Sequence, residues 1–387
     1  MKIMGYRREN GQLGVRNYLL ILPTSVCATD TAEKIAAQVP GAVFVPNQHG
    51  CCQIGSDQEQ TERTLEGFGK NANVGAVLVV GLGCDGIQAD ELAVRIAASG
   101  KPTESITIQK CGGTLKAISI GAEKAAAMAS ALSTQVRIEG DVSDLILGME
   151  CGGSDPTSGL ASNPSIGYVS DKLVSMGGSS ILSETTEVIG AEHLLAARFA
   201  DPAQKEKFLR MVSNCEERAI RLGEDLRSGQ PTPGNKAGGL STIEEKSLGC
   251  MYKAGRSPFT GALEYSEHLP AGRKGLFFMD TPGQDIDSIT GMVAGGATVI
   301  IFSTGRGTPT GSPIAPVIKI TGNTDTYNNM MDNIDINAGR IITDGATIKE
   351  IGEEAFQLMV EAANGKRTKA EVLGHCEFGI YKVSGTF

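Results

Sequence analysis

The sequence predicts an α/β protein made of two Rossmann-like units, each with a mainly parallel sheet covered by helices. Short β-branched and apolar runs alternate with longer alanine-rich stretches of helical periodicity, which is the pattern of a parallel sheet with helices on both faces. The chain has 387 residues, enough for two domains of ~100–200 residues each. Because the composition changes near residues 135–142, we expect an N-terminal unit over residues 1–138 and a C-terminal unit over residues 139–387.

The individual elements follow from these runs and stretches. The predicted strands lie at residues 18–22, 42–45, 76–81, 105–108, 145–147, 180–182, 275–279, 298–302 and 317–320. The predicted helices lie at residues 29–38, 59–68, 89–98, 122–132, 204–226 and 349–363. Residues 229–239 contain too many turn formers for a helix or a strand, so we expect either a linker or an active-site loop there.

Charge and hydropathy exclude several classes of partner. The net charge is -9 and no basic run occurs, whereas nucleic-acid binding needs clustered Lys and Arg. No apolar stretch approaches the ~20 residues that span a bilayer, and the start of the chain lacks a signal-peptide core. We therefore expect a cytoplasmic protein that binds neither nucleic acid nor membrane.

The cysteines are placed unusually. Nine cysteines without secretory context indicate reduced thiols, metal ligands or catalytic groups more than a disulfide framework. Five successive predicted strands are each followed by a loop with a cysteine, and these loops contain Cys27, Cys51 with Cys52, Cys84, Cys111 and Cys151. Ligands bind outside the carboxyl ends of parallel strands, so these thiols should face a crevice. Cys215, Cys250 and Cys376 are interpreted as packing residues.

Converging thiols of this kind suit a soft or borderline metal. The candidate ligands are Cys27, Cys51, Cys84 and Cys151, and the candidate centres are a single iron or zinc ion or an iron–sulfur cluster. A cluster bound by three cysteines would leave one iron open as a Lewis acid. Nucleophilic use of one thiol, or plain packing, stays open because no CxxC pair occurs.

Polar residues after the C-terminal strands predict an anion site. Arg306, between two glycines, could hold a substrate carboxylate with help from Thr304, Thr308 and Asn323. An anion-binding turn without catalytic duty is the alternative. Residues 305–311 lack the order of a phosphate-binding P-loop, and no GxGxxG motif follows the first predicted strand, so we expect no nucleotide cofactor.

Several motifs together resemble the altronate/galactarate dehydratase family. The likeness runs from about Gly5 to the C-terminus, and its motifs are GYRRENGQLGVRN (5–17), HGC (49–51), GLGC (81–84), ECGGSD (150–155) with NP (163–164), ETTE (184–187), GLSTIEEKSLG (239–249) and TGRGT (304–308). The resemblance implies dehydration of a sugar acid such as altronate or galactarate to a 2-keto-3-deoxy acid, with iron or another divalent metal.

The same resemblance implies a partner subunit and a second candidate activity. Full-length members begin with a small β-rich domain that contributes to the active site, so the chain resembles the large subunit of a split enzyme with a small β-rich partner, in an oligomer. The family also includes sulfolactate sulfo-lyase large subunits, which release sulfite. That branch lacks the cysteine-bearing loops, so Cys51, Cys84 and Cys151 favour a dehydratase. A non-catalytic ligand-binding subunit is the alternative from another class.

Dehydration of an aldonate requires proton transfer at both carbons. A weakly acidic proton next to a carboxylate must be removed, and a poor leaving hydroxide must be protonated. The candidate acids and bases are His49, Glu184 and Lys246. His49 is one of four histidines and shares a loop with Cys51; the alternative for it is a loop histidine bonded to a carbonyl.

Overall fold

The computed structural model describes residues 1–384. The strands are β1 (Lys2–Arg7), β2 (Leu13–Gly14), β3 (Tyr18–Pro23), β4 (Ala42–Phe44), β5 (Val74–Gly81), β6 (Thr103–Thr107), β7 (Ile138–Asp141), β8 (Ile146–Gly152), β9 (Ser179–Leu182), β10 (Phe259–Leu263), β11 (Gly275–Met279), β12 (Val299–Thr304), β13 (Val317–Thr321) and β14 (Ile336–Asn337). The helices are α1 (Val26–Ala36), α2 (Gly55–Lys70), α3 (Ala89–Ala97), α4 (Ile108–Cys111), α5 (Thr114–Ser133), α6 (Asn163–Ser175), α7 (Glu192–Ala196), α8 (Pro202–Arg221), α9 (Leu226–Gly229), α10 (Pro233–Ala237), α11 (Ile243–Cys250), α12 (Asp285–Ala294), α13 (Thr324–Asn329), α14 (Arg340–Thr343), α15 (Ile348–Ala363) and α16 (Lys369–Leu373).

The N-terminal half forms a four-stranded parallel sheet in the order β4-β3-β5-β6. Strand β5 is buried along its whole length, as expected for a strand with helices on both faces. Helix α1 leads from β3 to the neighbour on one side, and α2 leads back to the neighbour on the other side. The switch point of this sheet therefore lies between β3 and β5.

The C-terminal half forms a seven-stranded parallel sheet in the order β10-β11-β9-β8-β12-β13-β14. The chain passes from β8 to its neighbour β9, then to the edge strand β10, and returns to β11 between β9 and β10. It then crosses to β12 on the other side of β8. The switch point of this sheet lies between β8 and β12, where a ligand crevice is expected in a doubly wound fold.

A third, antiparallel sheet of three short strands has the order β2-β1-β7. It pairs Lys2 with Asp141, so the start of the chain lies beside the segment that leads into the large sheet. These strands were not predicted from the sequence. Strand β2 has two residues and β7 has no buried residue, so neither forms an apolar run. Strand β7 also spans the boundary that we expect at residues 138 and 139.

Helices α2 and α12 pack against each other in the hydrophobic core that both parallel sheets share. The helices approach closely at Gly67, where a Cβ atom would stand 2.4 Å from the carbonyl oxygen of Ala294. Asn71, at the end of α2, donates to the carbonyl oxygens of Val293 and Ala297 at 2.8 and 2.9 Å. The two halves are thus joined through helices, with a second core on the far face of each sheet.

The structure confirms the predicted fold class of two mainly parallel sheets covered by helices. The predicted helix at 204–226 is shorter, since α8 ends at Arg221 and Gly223 adopts a φ of 84°. Within residues 1–384 no helix is long and apolar enough to cross a membrane.

Candidate active site

A cavity of about 190 Å³ opens at the carboxyl end of the large sheet, at the switch point between β8 and β12. Its walls come from the loops after these strands, from the loop after β9, and from α10, α11 and the start of α12. The residues that line it are Cys151, Gly152, Gly153, Ser154, Glu184, Thr232, Gly234, Asn235, Lys246, Gly283, Asp285 and Arg306. Residues 229–239, expected to be a linker or an active-site loop, thus supply part of its wall.

A buried ion-pair network forms one side of the cavity. The Nζ atom of Lys253 lies 3.0 Å from Oε2 of Glu184 and 2.7 Å from Oε2 of Glu187, and all three side chains are at most 1% exposed. The Nζ atom of Lys246 lies 3.2 Å from Oε1 of Glu187. Glu184 also accepts a hydrogen bond from the backbone N–H of Cys151 at 3.1 Å. Two ammonium groups and two carboxyl groups are therefore held together, and of the four side chains Lys246 is the most exposed, at 15%.

The network shifts the pKa values of its two carboxyl groups, Glu184 and Glu187, in opposite directions. Burial raises the pKa of Glu184 well above its usual range, and the charges of Glu150 and Glu187 raise it further. Burial alone would also raise the pKa of Glu187, but the ammonium groups of Lys253 and Lys246 lower it to about 2. Glu187 is therefore the fixed anion of the network, and Glu184 is the group that can exchange a proton.

The backbone at Glu184 is strained. Its φ is 68° and its ψ is 81°, a left-handed conformation that is uncommon for residues other than glycine. Its N–H donates to Oγ1 of Thr281 at 2.7 Å, and the N–H of Thr185 donates to the carbonyl of Thr281 at 3.0 Å. Strain of this kind persists where the surroundings fix it, and it occurs often at functional sites.

Three carboxyl groups meet beneath the cavity. One oxygen each of Glu150, Glu184 and Asp285 lie within 4.8 Å of one another. Oε2 of Glu150 accepts from Ser183 at 3.2 Å and from Ser288 at 2.7 Å, whereas its buried Oε1 has no hydrogen-bond partner. Burial raises the pKa of Glu150 well above its usual range and that of Asp285 to about 6.

Two cysteines lie in the same region. The Sγ atoms of Cys151 and Cys250 and an oxygen of Glu187 lie within 4.8 Å of one another. A hydrogen bond from the Cys250 thiol lowers the pKa of Cys151. Oγ of Ser154 lies 2.7 Å from Sγ of Cys151. Cys250, which the sequence indicated as a packing residue, is buried as expected but contacts a cavity residue.

The predicted substrate-binding residues divide into one cavity residue and three that hold loops together. Arg306 is exposed at the cavity, and its Nη1 donates to the carbonyl of Gly234 at 2.7 Å. Thr304 Oγ1 accepts from the N–H of Gly307 at 2.9 Å, and Thr308 Oγ1 lies 2.9 Å from Thr310 Oγ1. Asn323 caps α13 and donates to Asp155 at 3.2 Å. Of these four residues, Arg306 is therefore the one with N–H groups left to donate to a substrate.

The predicted catalytic residues also divide. Glu184 and Lys246 line the same cavity. His49 lies in the loop after β4, on the smaller sheet, where its Nε2 is 3.2 Å from the carbonyl oxygen of Ile380. Burial lowers the pKa of His49. Its contact is the one expected of a loop histidine bonded to a carbonyl.

The predicted metal ligands lie at two places. Cys27, Cys51 and Cys84 follow β3, β4 and β5, so they share the carboxyl edge of the small sheet. Cys151 is buried at the end of β8, in the large sheet. The predicted boundary at residues 138 and 139 already separates Cys151 from the other three cysteines, and the structure places it on the other sheet.

Sequence reasoning missed Lys253 and Asp285. Lys253 lies in a short 3-10 turn after α11, and Asp285 begins α12. Neither residue directly follows a strand, so inspecting the residues after each predicted strand does not identify them. The signal that was available is the buried helix α12 itself, whose first turn meets the strand ends in a doubly wound fold.

Comparison with known families matches both halves of the chain. Residues 142–386 match the family described as D-galactarate/altronate dehydratase, C-terminal. Residues 5–133 match the family described as D-galactarate dehydratase/altronate hydrolase, second domain. These matches confirm the resemblance that the sequence motifs indicated.

Individual relatives agree with the family match. The chain is 38% identical to the (2R)-sulfolactate sulfo-lyase subunit beta of Chromohalobacter salexigens over 98% of this chain and 97% of that protein. It is 35% identical to the altronate dehydratase of Bacillus subtilis over 98% of this chain and 77% of that protein. It is 37% identical to the galactarate dehydratase of Escherichia coli over 79% of this chain and 59% of that protein. Together these relatives support a lyase role of the dehydratase type.

Proposed function

Because the chain belongs to the D-galactarate/altronate dehydratase family, we propose that it removes water from a sugar acid in the cavity between β8 and β12. The observation that carries this proposal is the composition of the cavity wall, which combines the cations Arg306 and Lys246 with the carboxyl groups of Glu184 and Asp285. Cations can bind the substrate carboxylate, while carboxyl groups can transfer a proton or hold a metal ion.

The proposed reaction breaks a C–H bond at C2 and a C–O bond at C3. Glu184 accepts the C2 proton, and the electron pair of that bond forms the C2–C3 double bond as the C3–O bond breaks. Glu184 then gives this proton to the leaving hydroxide, which departs as water, so that the carboxylate is restored. The burial that raises the pKa of Glu184 also raises its basicity once it is ionised. The enol product then becomes a 2-keto-3-deoxy acid.

Lys246 and Lys253 have different roles in this proposal. Burial alone would lower the pKa of Lys246, but the charge of Glu187 raises it above its usual range. Lys246 therefore stays an ammonium group that can face the negative charge developing on the substrate carboxylate. Lys253 is fully buried and is a positioning residue, since it holds Glu184 and Glu187 in place.

A divalent metal ion fits the carboxyl groups beneath the cavity. Glu150 and Asp285 would hold it, because Oε1 of Glu150 is buried without a hydrogen-bond partner and oxygen ligands suit a hard divalent cation. Glu184 would remain available for the proton. Iron(II) or another divalent ion would act there as a Lewis acid for the developing enediolate. The Cys151, Glu187 and Cys250 group fits a metal less well, because two lysines already neutralise Glu187.

Elimination of sulfite from sulfolactate is the second candidate function. The sulfo-lyase subunit from Chromohalobacter salexigens matches this chain over nearly its full length. The chemistry at C2 would be the same, and only the leaving group at C3 would differ. That subunit is named subunit beta, which supports the further proposal that this chain works with a small β-rich subunit in a cytoplasmic oligomer.

The test is a panel assay with two product readouts. The full chain, purified under anaerobic conditions with iron(II) and assayed alone and co-expressed with its small subunit, would be given altronate, galactarate and sulfolactate. Keto acid from either sugar acid, with no sulfite from sulfolactate, supports the dehydratase proposal. Sulfite from sulfolactate, with no product from the sugar acids, would favour the second candidate. The absence of product from all three acids in both preparations would contradict both proposals.

A further inference from the structure

A second cluster of reactive side chains lies on the small sheet, outside the cavity. Cys27 lies in the first turn of α1, and Cys51 and Cys84 lie in the loops after β4 and β5. Cys27 and Cys84 are exposed, and Cys51 is half-buried. We call these three residues the thiol edge. The family comparisons assign no role to them.

The thiol edge lies at the switch point of its sheet. Strands β3 and β5 are neighbours, and the chain leaves β3 in one direction and reaches β5 from the other. Cys27 and Cys84 follow these two strands. In doubly wound sheets the crevice at this point is where ligands bind, so the thiols occupy the place in the small sheet that the cavity occupies in the large one.

A buried carboxylate fixes two of the loops. Asp85, which is 6% exposed, accepts hydrogen bonds from the hydroxyl groups of Thr24 and Ser25 on the Cys27 side. It also accepts from the N–H groups of Leu82 and Gly83 at 2.7 and 3.2 Å, on the Cys84 side. One side chain thus holds both loops in a single arrangement.

Backbone contacts fix the third loop between the other two. The carbonyl of His49 accepts from the N–H of Val26 at 2.8 Å, and the carbonyl of Gly50 accepts from the N–H of Gly86 at 3.1 Å. Gly50 has a φ of 88°, and a Cβ atom there would stand 1.9 Å from the carbonyl oxygen of Thr24. The loop that carries Cys51 is therefore fixed by backbone contacts. The arrangement of the three thiol-bearing loops is thus set by hydrogen bonds that do not involve the thiols.

Cys27, Cys51 and Cys84 stand on loops that contact one another through backbone hydrogen bonds, but their sulfur atoms are not packed as the ligands of one ion. Tetrahedral zinc with Zn–S bonds of about 2.3 Å places its sulfur ligands roughly 3.8 Å apart. Within residues 1–384, the Sγ atoms of Cys27, Cys51 and Cys84 do not all lie within 4.8 Å of one another. A cluster attaches each cysteine to a different iron atom and so accommodates wider spacing.

We propose that Cys27, Cys51 and Cys84 bind an iron–sulfur cluster at the carboxyl edge of the small sheet. Iron–sulfur clusters are held by cysteine thiolates, and reduced thiols converging from three loops provide them. Three protein ligands would leave one iron of a four-iron cluster without a thiolate, so that it could take a small oxygen ligand. This inference does not depend on the proposed function, because the thiol edge and the cavity are built from different sheets.

The experiment is anaerobic reconstitution of the full chain with iron(II) and sulfide. We expect about four iron and four sulfide per chain and a broad visible absorption band. Cys51→Ser and Cys84→Ser should each remove most of that band. Cys376→Ser is the matched control, because Cys376 is also exposed but lies outside the thiol edge, and it should leave the band unchanged. Thermal unfolding of the metal-free variants would show that they fold.

Two results would overturn the proposal. One is a colourless protein after reconstitution, whether metal-free or with about one zinc per chain. The other is a cluster that persists in folded Cys51→Ser and Cys84→Ser proteins. Neither result would bear on hydroxy-acid turnover in the cavity, so a failure here and a failure of the proposed function can be told apart.

Discussion

At the scale of single residues, the site depends on buried charges that neutralise one another. Lys253 is fully enclosed, and it contacts both Glu184 and Glu187. Removing charges from water costs several kcal/mol per ion, and only close pairing offsets this cost. Such a network is a weak source of stability, which is consistent with a role in holding Glu184 in its strained conformation beside the cavity.

The first prediction concerns Glu184. Glu184→Gln keeps the size of the side chain but removes the proton acceptor, so we expect turnover to fall by about 10²–10⁴-fold. Steady-state assays on the preferred acid would measure this. Glu244→Gln is the control, since Glu244 is exposed on α11. Near wild-type turnover in Glu184→Gln would exclude Glu184 as the base.

The second prediction concerns Lys253. Lys253→Met leaves two buried carboxyl groups without their shared cation, and breaking a buried pair in this way costs about 3–5 kcal/mol. Urea unfolding would measure the free energy of unfolding. Lys205→Met, at an exposed position of α8, should change it by less than about 0.5 kcal/mol. A loss below about 1 kcal/mol in Lys253→Met would mean that the network relaxes or admits water.

At the scale of elements, the sequence predicted nine of the fourteen strands within residues 1–384, and it did not predict the buried helix α12. Strands such as β11 coincide with their predictions because they are short apolar runs between turns. Helix α12 was missed because seven of its residues, from Ser288 to Ala294, are buried in succession. A helix enclosed by both sheets has no polar face, so its sequence lacks the 3.6-residue period.

The third prediction tests the contact between α2 and α12. An exposed helical glycine is usually stabilised by substitution with alanine, but Gly67→Ala would place a Cβ atom 2.4 Å from the carbonyl oxygen of Ala294. We expect a loss of about 1–3 kcal/mol in unfolding free energy. Gly229→Ala, where no atom lies within 4 Å of the new Cβ, should be neutral or slightly stabilising. Equal effects of the two substitutions would contradict this account of the packing.

At the scale of the whole molecule, an ion pair connects the two ends of the chain. Nε of Arg16 lies 2.7 Å from Oε1 of Glu371, and Nη2 of Arg16 lies 2.8 Å from Oε2. Both side chains are less than 10% exposed, at 9% and 8%. Nη1 of Arg16 also donates to the carbonyl of Ala362 at 2.8 Å. The segment before β3 is thereby fixed to α15 and α16.

The fourth prediction follows from the pKa of Glu371. Burial alone would raise this pKa, but the hydrogen bond and charge of Arg16 lower it. A carboxyl group with a lowered pKa in the folded protein stabilises the fold above its unfolded pKa of ~4.3, and this contribution is lost as the pH falls through the folded pKa. Glu371→Gln should therefore destabilise the protein at pH ~7 and have a smaller effect at pH ~3.

The measurement is urea unfolding of wild type and variant at both pH values. Glu361→Gln is the control, because Glu361 pairs with Lys366 at the surface, where the two side chains are 54% and 58% exposed. Its effect should be small at either pH. A Glu371→Gln effect that does not change with pH would contradict the assignment.

The sequence indicates which loops carry polar residues, but the three-dimensional arrangement of the strands decides which of these loops form the site. Glu184, Lys246 and Arg306 stand in separate motifs, and the structure brings them to one cavity. His49 and Cys51 stand in a motif of the same kind, yet they lie on the other sheet. Local sequence indicates that a loop follows a strand, but the order of strands decides which loops meet, and that order depends on long-range packing.

The central claim is that the cavity between β8 and β12 binds the hydroxy acid for elimination. The most direct test is a crystal structure of the Glu184→Gln protein soaked with the acid that the wild type converts. We expect the substrate carboxylate within hydrogen-bond distance of Arg306 or Lys246, with C2 facing the side chain at position 184. An acid bound at another place, with this cavity empty at saturating concentration, would contradict the claim.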